Sequence, residues 1–303
     1  MRKAMLEKEL RALCCLDCDC LVGLVGSFYD RQAGEITMVL EYMDRGSLID
    51  LMNHHSETVS SSVPPSISNT QEALSVHPWP ALPEPAVASI AFQMLWGIAY
   101  LHYENVIHRD IKPANVLVNS EGQVKLSDFG IISRRGENAN QDGMNCTVVG
   151  TTRYMSPERL RARAYSTSSD VWSFGLVILE CATGTSPFDG VLSMVELLLT
   201  VEETPVEDIV PRHFSDGLRE LLCACLQQEP ERRIPADILI ASPWFESFGI
   251  ADLESAVQVM QAYINATYQP QQPDNLSSSA WQSQLKRLRS TPTRANRARL
   301  PTL

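Results

Sequence analysis

The chain has 303 residues, 44% of them apolar, and a formal net charge of −11 at pH 7. That apolar share is enough to bury a core, which excludes a wholly disordered chain, and the acidic balance argues against nucleic acid as a main partner. No stretch reaches about 18 uncharged apolar residues, so no membrane span is expected.

The first residues carry charges every few positions (Arg2, Lys3, Glu7, Lys8, Glu9) and no apolar signal core. The expected compartment is the cytoplasm, with the nucleus as the alternative. Without a secretory signal the eight cysteines read as reduced thiols. Four of them crowd into Cys14-Cys15-Leu16-Asp17-Cys18-Asp19-Cys20. Zinc is one reading, but neighbours this close do not all turn toward one tetrahedral ion, and a turn between helix and strand is the preferred one.

Leu6, Leu10 and Leu13 fall at helical spacing among charges, which predicts an amphipathic helix over 2–13. Residues 21–29 and 35–42 read as two strands joined through a polar, Gly-containing connection, a hairpin. Residues 43–47 break the strand pattern and 48–52 start a helix. From about 54 to 85, Ser, Thr and Pro dominate and predict a flexible insertion. The helical period resumes at Val87 with Ile90, Met94, Leu95, Ile98 and Leu101 on one face. Further apolar helices are expected over 171–183, 194–201 and 218–225, the folded part is expected to end near Phe248, and 251–268 predicts one more helix. Residues 269–303 read as a disordered tail, basic from Lys286 to Arg299, with a docking peptide as the functional alternative.

The chemistry concentrates between Ile107 and Glu158. In order come His108-Arg109-Asp110-Ile111-Lys112-Pro113-Ala114-Asn115, Ser127-Asp128-Phe129-Gly130, Gly150-Thr151 and Ser156-Pro157-Glu158. A carboxylate, a lysine two residues on and an amide five residues on, followed by a second carboxylate, form the group set of phosphoryl transfer, in which the protein positions and stabilises charge. Any one of these elements is weak alone; all four at these separations are specific.

Together with 116–130, Val149-Gly150-Thr151, residues 154–160 and Leu40-Glu41-Tyr42-Met43-Asp44-Arg45-Gly46-Ser47-Leu48, these motifs resemble a eukaryotic protein kinase of the mitogen-activated protein kinase kinase branch. Ser-Pro-Glu in place of Ala-Pro-Glu is typical of that branch. The resemblance covers roughly residues 5–248. It implies an α+β, bilobal protein-kinase-like fold with a truncated N-lobe sheet and a mainly α-helical C-lobe. The implied division is a partial N-lobe over 1–43, a C-lobe over 44–248 interrupted at about 54–85, and a helix with a basic tail over 249–303.

It also implies ATP and Mg²⁺ as cofactors and a set of roles. Asp110 would orient the incoming hydroxyl and accept its proton, and Lys112 would stabilise the transferring phosphoryl group. Asn115 and Asp128 would hold Mg²⁺ through hard oxygens. Thr151 would bond the catalytic Asp and Lys. Leu40 resembles the gatekeeper, Glu41 and Met43 the hinge at adenine, Ser47 a ribose neighbour and Leu117 the floor under the base. Glu9 resembles the glutamate of the N-lobe helix. His108, Phe129, Glu158, Asp170 and Arg233 fall at structural positions, with Asp170 bracing the catalytic loop and Arg233 pairing Glu158.

By the same resemblance, the expected substrate is a protein Ser/Thr, or a Thr and a Tyr of a mitogen-activated protein kinase. Regulation by an upstream activating kinase is expected at Thr147, whose phosphate would order the segment through Arg109; the alternative is an unmodified threonine. The second family phosphosite holds residues such as Gln141 or Gly143, which departs from the usual pair. The Gly-rich loop and the phosphate-gripping lysine strand have no counterpart in the sequence, so the chain reads as an N-terminally truncated kinase, with a catalytically impaired scaffold that binds partner kinases as the alternative.

Overall fold

A computed structural model of the chain describes residues 16–30, 35–62, 81–128, 152–163 and 166–268. The expected helix over 2–13 with Glu9, the positions Phe129, Thr147 and Thr151, and the basic tail lie outside these residues.

Strands β1 (Leu24–Asp30) and β2 (Glu35–Leu40) pair antiparallel, from Leu24 opposite Leu40 to Asp30 opposite Glu35, with an irregularity between Leu24 and Gly26. Leu21 and Val22, expected to belong to this hairpin, instead join the other sheet. Leu21 bridges Leu126, and the Val22 N–H donates to the Leu126 carbonyl at 2.9 Å. Both side chains are buried there, and burial decides their pairing.

Helix α1 (Leu48–Ser62) opens on a reciprocal cap. The Ser47 N–H donates to Asp50 Oδ2 at 2.7 Å, and the Asp50 N–H reaches back to Ser47 Oγ at 3.4 Å. Residues 54–62, expected to begin the insertion, are the last turns of this helix. Ser, Thr and His lower helix propensity without breaking it; the Thr58 hydroxyl bonds the His54 carbonyl within the helix, and the His55 ring meets Tyr263. Helix α2 (Glu84–Tyr103) corrects the insertion's other end. Pro83 caps it and Pro85 sits in its first turn, where a missing N–H costs nothing. The rest of the expected insertion, 63–80, lies outside the described residues.

Nearly every side chain of α2 from Ala86 to Ile98 is buried, because α2 is the central helix and not a one-faced surface helix. Its two buried polar residues are satisfied: Ser89 donates to the Ala256 carbonyl, and Gln93 donates to the Gly122 carbonyl and accepts the Val124 N–H. A one-turn 3₁₀ helix (Pro113–Asn115) leads into β3 (Val116–Val118), which pairs antiparallel with β4 (Val124–Leu126).

The rest is helical. After α3 (Pro157–Leu160) comes α4 (Thr167–Thr183), buried along its length and ended by Gly184 in the left-handed region. Helices α5 (Met194–Glu203), α6 (Val206–Ile209) and α7 (Asp216–Cys225) follow; Ser193 and Ser215 cap α5 and α7 by accepting N–H groups of their first turns. Short α8 (Ala236–Leu239) and α9 (Pro243–Glu246) then pack on α2.

Helix α10 (Leu253–Thr267) lies against α2 through Ala256, Met260 and Ile264, all buried. The compact unit therefore closes at Thr267 and not near Phe248. Whether 251–268 was a loose appendage or a core helix depended on a partner, α2, that lies about 160 residues earlier in the chain.

Gly122, between β3 and β4, joins these parts. Its φ is +86°, and a Cβ there would lie 2.6 Å from the Gln261 nitrogen and against the Val257 carbonyl, both in the backbone of α10. Backbone does not yield as a side chain tip does. Gly122→Ala is expected to destabilise the fold by about 1–3 kcal/mol in chemical denaturation. An unchanged midpoint would mean that α10 is not seated on this turn.

Candidate functional site

The segment from Val106 to Asn115 is held by one buried carboxylate. Asp170, in the first turn of α4, accepts the His108 N–H (2.9 Å) and the Arg109 N–H (3.0 Å), and lies 2.9 Å from His102 Nε2 on α2. Burial alone would raise the Asp170 pKa. The bond and charge of His102 and the Arg109 N–H outweigh it, and the carboxyl is held below its usual range. His108 is fully buried, and burial lowers its pKa against the pull of Asp170 and Asp110. The neutral ring accepts the Asp110 N–H at Nδ1, 3.3 Å away.

This anchoring explains an unusual backbone. Arg109 has φ +72° and Asp128 has φ +50°, conformations that ordinary side chains avoid. Such residues persist where the surroundings over-determine them, and such strain collects at working sites. At Arg109 the carbonyl is also held, by Arg159 Nη1 at 2.5 Å.

Past the strained turn, three side chains converge. Asp110 Oδ2 accepts from Lys112 Nζ and from Asn115 Nδ2, each at 2.8 Å, while Asn115 Nδ2 also donates to the Asp110 carbonyl. Asp110 stays about one-third exposed and Asn115 is buried. The Ser127 N–H donates to the Asn115 carbonyl at 2.8 Å, which ties the end of β4, and so Asp128, to the same loop. Asp110, Lys112, Asn115 and Asp128 all line one cavity of about 510 Å³.

Two hard-oxygen groups remain there for a cation. Asn115 spends its amide N–H groups on Asp110, and neither its Oδ1 nor the exposed Asp128 carboxylate accepts a hydrogen bond among the described residues. That donor set fits Mg²⁺, which takes few protein oxygens and fills its octahedron elsewhere.

The positions read as nucleotide neighbours divide into two groups. Leu40, at the end of β2, and Glu41 line the cavity; Met43, Ser47 and Leu117 do not. Ser47 instead forms a bridge with Leu117, and Met43 is buried. The Ser47 hydroxyl donates to Asp50, in the cap of α1.

Sequence reasoning missed the role of the Glu41 side chain. It accepts Lys125 Nζ at 3.0 and 2.9 Å and the Gly23 N–H at 2.6 Å, and so clamps the end of β2 to β4 at the cavity wall. The available signal was strand alternation. In Val124-Lys125-Leu126, the lysine lies opposite Leu117 in the antiparallel pair and so shares its face. His102 was missed as well, being six residues upstream of the motif on a helix face that reads as core.

Farther off, Glu158 and Arg233 meet in a buried, two-bonded pair at 2.8 and 2.8 Å. Ser169 donates to the same carboxylate, Arg233 also reaches the carbonyls of Gln227 and Ser168, and its guanidinium stacks 5.1 Å from the Trp172 ring. Burial would raise the Glu158 pKa, but Arg233 and Ser169 bring it down to about 2.

Residues 1–245 match the family model described as protein kinase domain. The chain is 36% identical over 245 residues to mitogen-activated protein kinase kinase 3 of Arabidopsis thaliana, covering 80% of this chain and 42% of that protein. It is 35% identical over 261 residues to mitogen-activated protein kinase kinase SIPKK of Nicotiana tabacum, covering 84% and 65%. A third relative, dual specificity mitogen-activated protein kinase kinase 1 of Dictyostelium discoideum, is 42% identical over 165 residues, covering 54% and 21%. The chain thus spans less than two thirds of the length of each of these curated relatives.

Proposed function

We propose that this chain, which belongs to the protein kinase family and within it to the mitogen-activated protein kinase kinase branch, transfers the γ-phosphoryl group of ATP to a hydroxyl of a protein substrate. The expected acceptors are Ser/Thr hydroxyls, or a Thr and a Tyr of a mitogen-activated protein kinase. The observation that carries this reading is the meeting of Asp110, Lys112 and Asn115 within 2.8 Å contacts, on one cavity with Asp128.

Each residue has work in the transfer. Asp110 aligns the substrate hydroxyl and takes its proton as the oxygen–phosphorus bond forms and the bond to the departing ADP breaks. Lys112, its ammonium already at the Asp110 carboxylate, sets positive charge beside the moving phosphoryl group. Asn115 holds the Asp110 backbone and side chain in one geometry and, with Asp128, presents oxygens to Mg²⁺. When bound, the cation neutralises charge on the nucleotide phosphates. Phosphorylation of Thr147 by an upstream kinase would reach this loop through Arg109, whose backbone is pinned from both sides by Asp170 and Arg159. The cytoplasm is the proposed place of action.

The test is direct. The chain is incubated with γ-labelled ATP, Mg²⁺ and a catalytically dead mitogen-activated protein kinase, with and without a chelator. Label on the Thr and Tyr of the substrate, abolished by the chelator, is expected. Nucleotide binding without transfer would replace this reading with that of a scaffold.

A further inference from the structure

The cysteine-rich segment ahead of β1 is not used by the proposed transfer, yet its structure is specific. Residues 18–21 form a turn closed by the Leu21 N–H on the Cys18 carbonyl at 3.0 Å. The turn is fastened on three sides. The Asp17 N–H donates to the Tyr100 hydroxyl at 3.0 Å, the Cys20 carbonyl accepts the Leu126 N–H at 2.9 Å, and Gly97 of α2 leaves just the room Cys20 needs, since a Cβ there would lie 3.0 Å from the Cys20 carbonyl oxygen.

The two thiols occupy different environments. Cys20 is 1% exposed, against α2, whereas Cys18 is partly accessible and lines the 510 Å³ cavity together with Lys125 and Asp128. Both belong to the one turn that the Leu21 N–H closes on the Cys18 carbonyl. Two residues apart, their Cα atoms are separated by no more than about 7 Å, and a disulfide accepts spans up to about 6.8 Å, so a small closure of the turn suffices to bond them.

We propose that Cys18 and Cys20 are a peroxide-sensitive dithiol, with Cys18 the attacking sulfur and Cys20 the resolving one. The Cys18 thiolate attacks one oxygen of a hydroperoxide, the O–O bond breaks, and the departing oxygen takes up a proton as water or an alcohol. Cys18 becomes a sulfenic acid. The Cys20 sulfur, giving up its proton, then displaces the sulfenic hydroxyl, which leaves as a second water, and the sulfur–sulfur bond closes. Two thiols lose two electrons and the hydroperoxide gains them, so no further oxidant is needed.

The surroundings suit this division. The Cys20 S–H and the Lys125 ammonium lower the Cys18 pKa, against burial and the Asp19 carboxylate; Cys20, the donor of the pair and buried, is pushed up. Asp17 and Asp19 flank the turn, and Lys125 is shared with Glu41. The outcome of oxidation would be felt in β4, because the turn's backbone bonds Leu126, two residues before Asp128.

The experiment uses the reduced chain treated with limiting hydrogen peroxide, blocked with N-ethylmaleimide and cut before aspartates. Cleavage at Asp17, Asp19 and Asp30 separates Cys18 from Cys20, so fragments 17–18 and 19–29 remain joined only by the new disulfide. Expected are that linked pair, its disappearance with dithiothreitol, and oxidation about tenfold faster than that of Cys223, a partly accessible thiol that burial holds protonated. In Cys20→Ser, Cys18 is expected to stop at the sulfenic acid and be captured by dimedone. Linkage of Cys18 or Cys20 to Cys14 or Cys15, or oxidation of Cys18 no faster than Cys223, overturns the proposal. The wild-type fragments decide the question even if Cys20→Ser folds poorly.

Discussion

Asp110→Asn is expected to slow phosphoryl transfer by about 10²–10⁴-fold, the usual worth of a positioned general base, while leaving nucleotide affinity nearly unchanged. The substitution is chosen for its shape. Asp110 Oδ2 receives Lys112 and Asn115, and an asparagine keeps an oxygen in that place, so the loop held by Asp170 has no reason to move. What is lost is the negative charge and the ability to take a proton. Single-turnover transfer to an inactive mitogen-activated protein kinase measures the chemical step, and displacement of a fluorescent nucleotide measures binding. Transfer within about threefold of wild type would remove Asp110 from the role of proton acceptor. A parallel loss of nucleotide affinity would instead mean that Asp110 orders the cavity.

Arg233→Ala is expected to cost about 3–5 kcal/mol, the penalty for stranding one partner of a buried ion pair. For a domain of this size that is a fall of roughly 6–20 °C in the thermal midpoint. The loss goes beyond one pair, because Arg233 also satisfies the carbonyls of Gln227 and Ser168 and covers Trp172. Its pH dependence separates the ion-pair contribution from packing. Glu158 falls from an ordinary 4.5 to about 2 in the folded chain. Its stabilisation is therefore complete above about 4.5 and fades as the pH drops toward 2. In Arg233→Ala the carboxylate is buried without that partner and gains by protonation. The stability gap between wild type and variant, read from urea midpoints, should accordingly narrow between about pH 4.5 and 2. A gap that stays constant across that interval would assign the whole effect to packing. Adding Glu158→Gln to Arg233→Ala should recover part of the loss at neutral pH, since no bare charge is left buried.

The candidate loop from Asp110 to Asn115 was legible in the chain because its contacts are local. Asp110, Lys112 and Asn115 lie within six residues, and a 3₁₀ turn started by Pro113 is enough to turn the last of them back on the first. Ser127-Asp128 required only that β3 and β4 form a short antiparallel pair, which the sequence supports with alternating apolar residues around a Gly-containing turn. The helices were visible wherever their apolar residues recurred at 3.6-residue spacing. Their limits were not. Prolines 83 and 85 read as punctuation, yet one caps and one begins α2, because a proline's meaning depends on which N–H groups the fold leaves unused.

Composition, the order of the motifs and the charged residues of the Asp110–Asn115 loop were thus determined by the sequence alone, since each rests on neighbours a few positions apart. Only the tertiary structure decided that α10 belongs to the core against α2, that Glu41 clamps Lys125 across 84 residues, that His102 joins the support of Asp170, and that Cys18 faces the same cavity as Asp128. Those contacts join segments far apart along the chain. Whether they form depends on how burial is shared among all the helices and strands at once, a quantity that no local pattern of residues records.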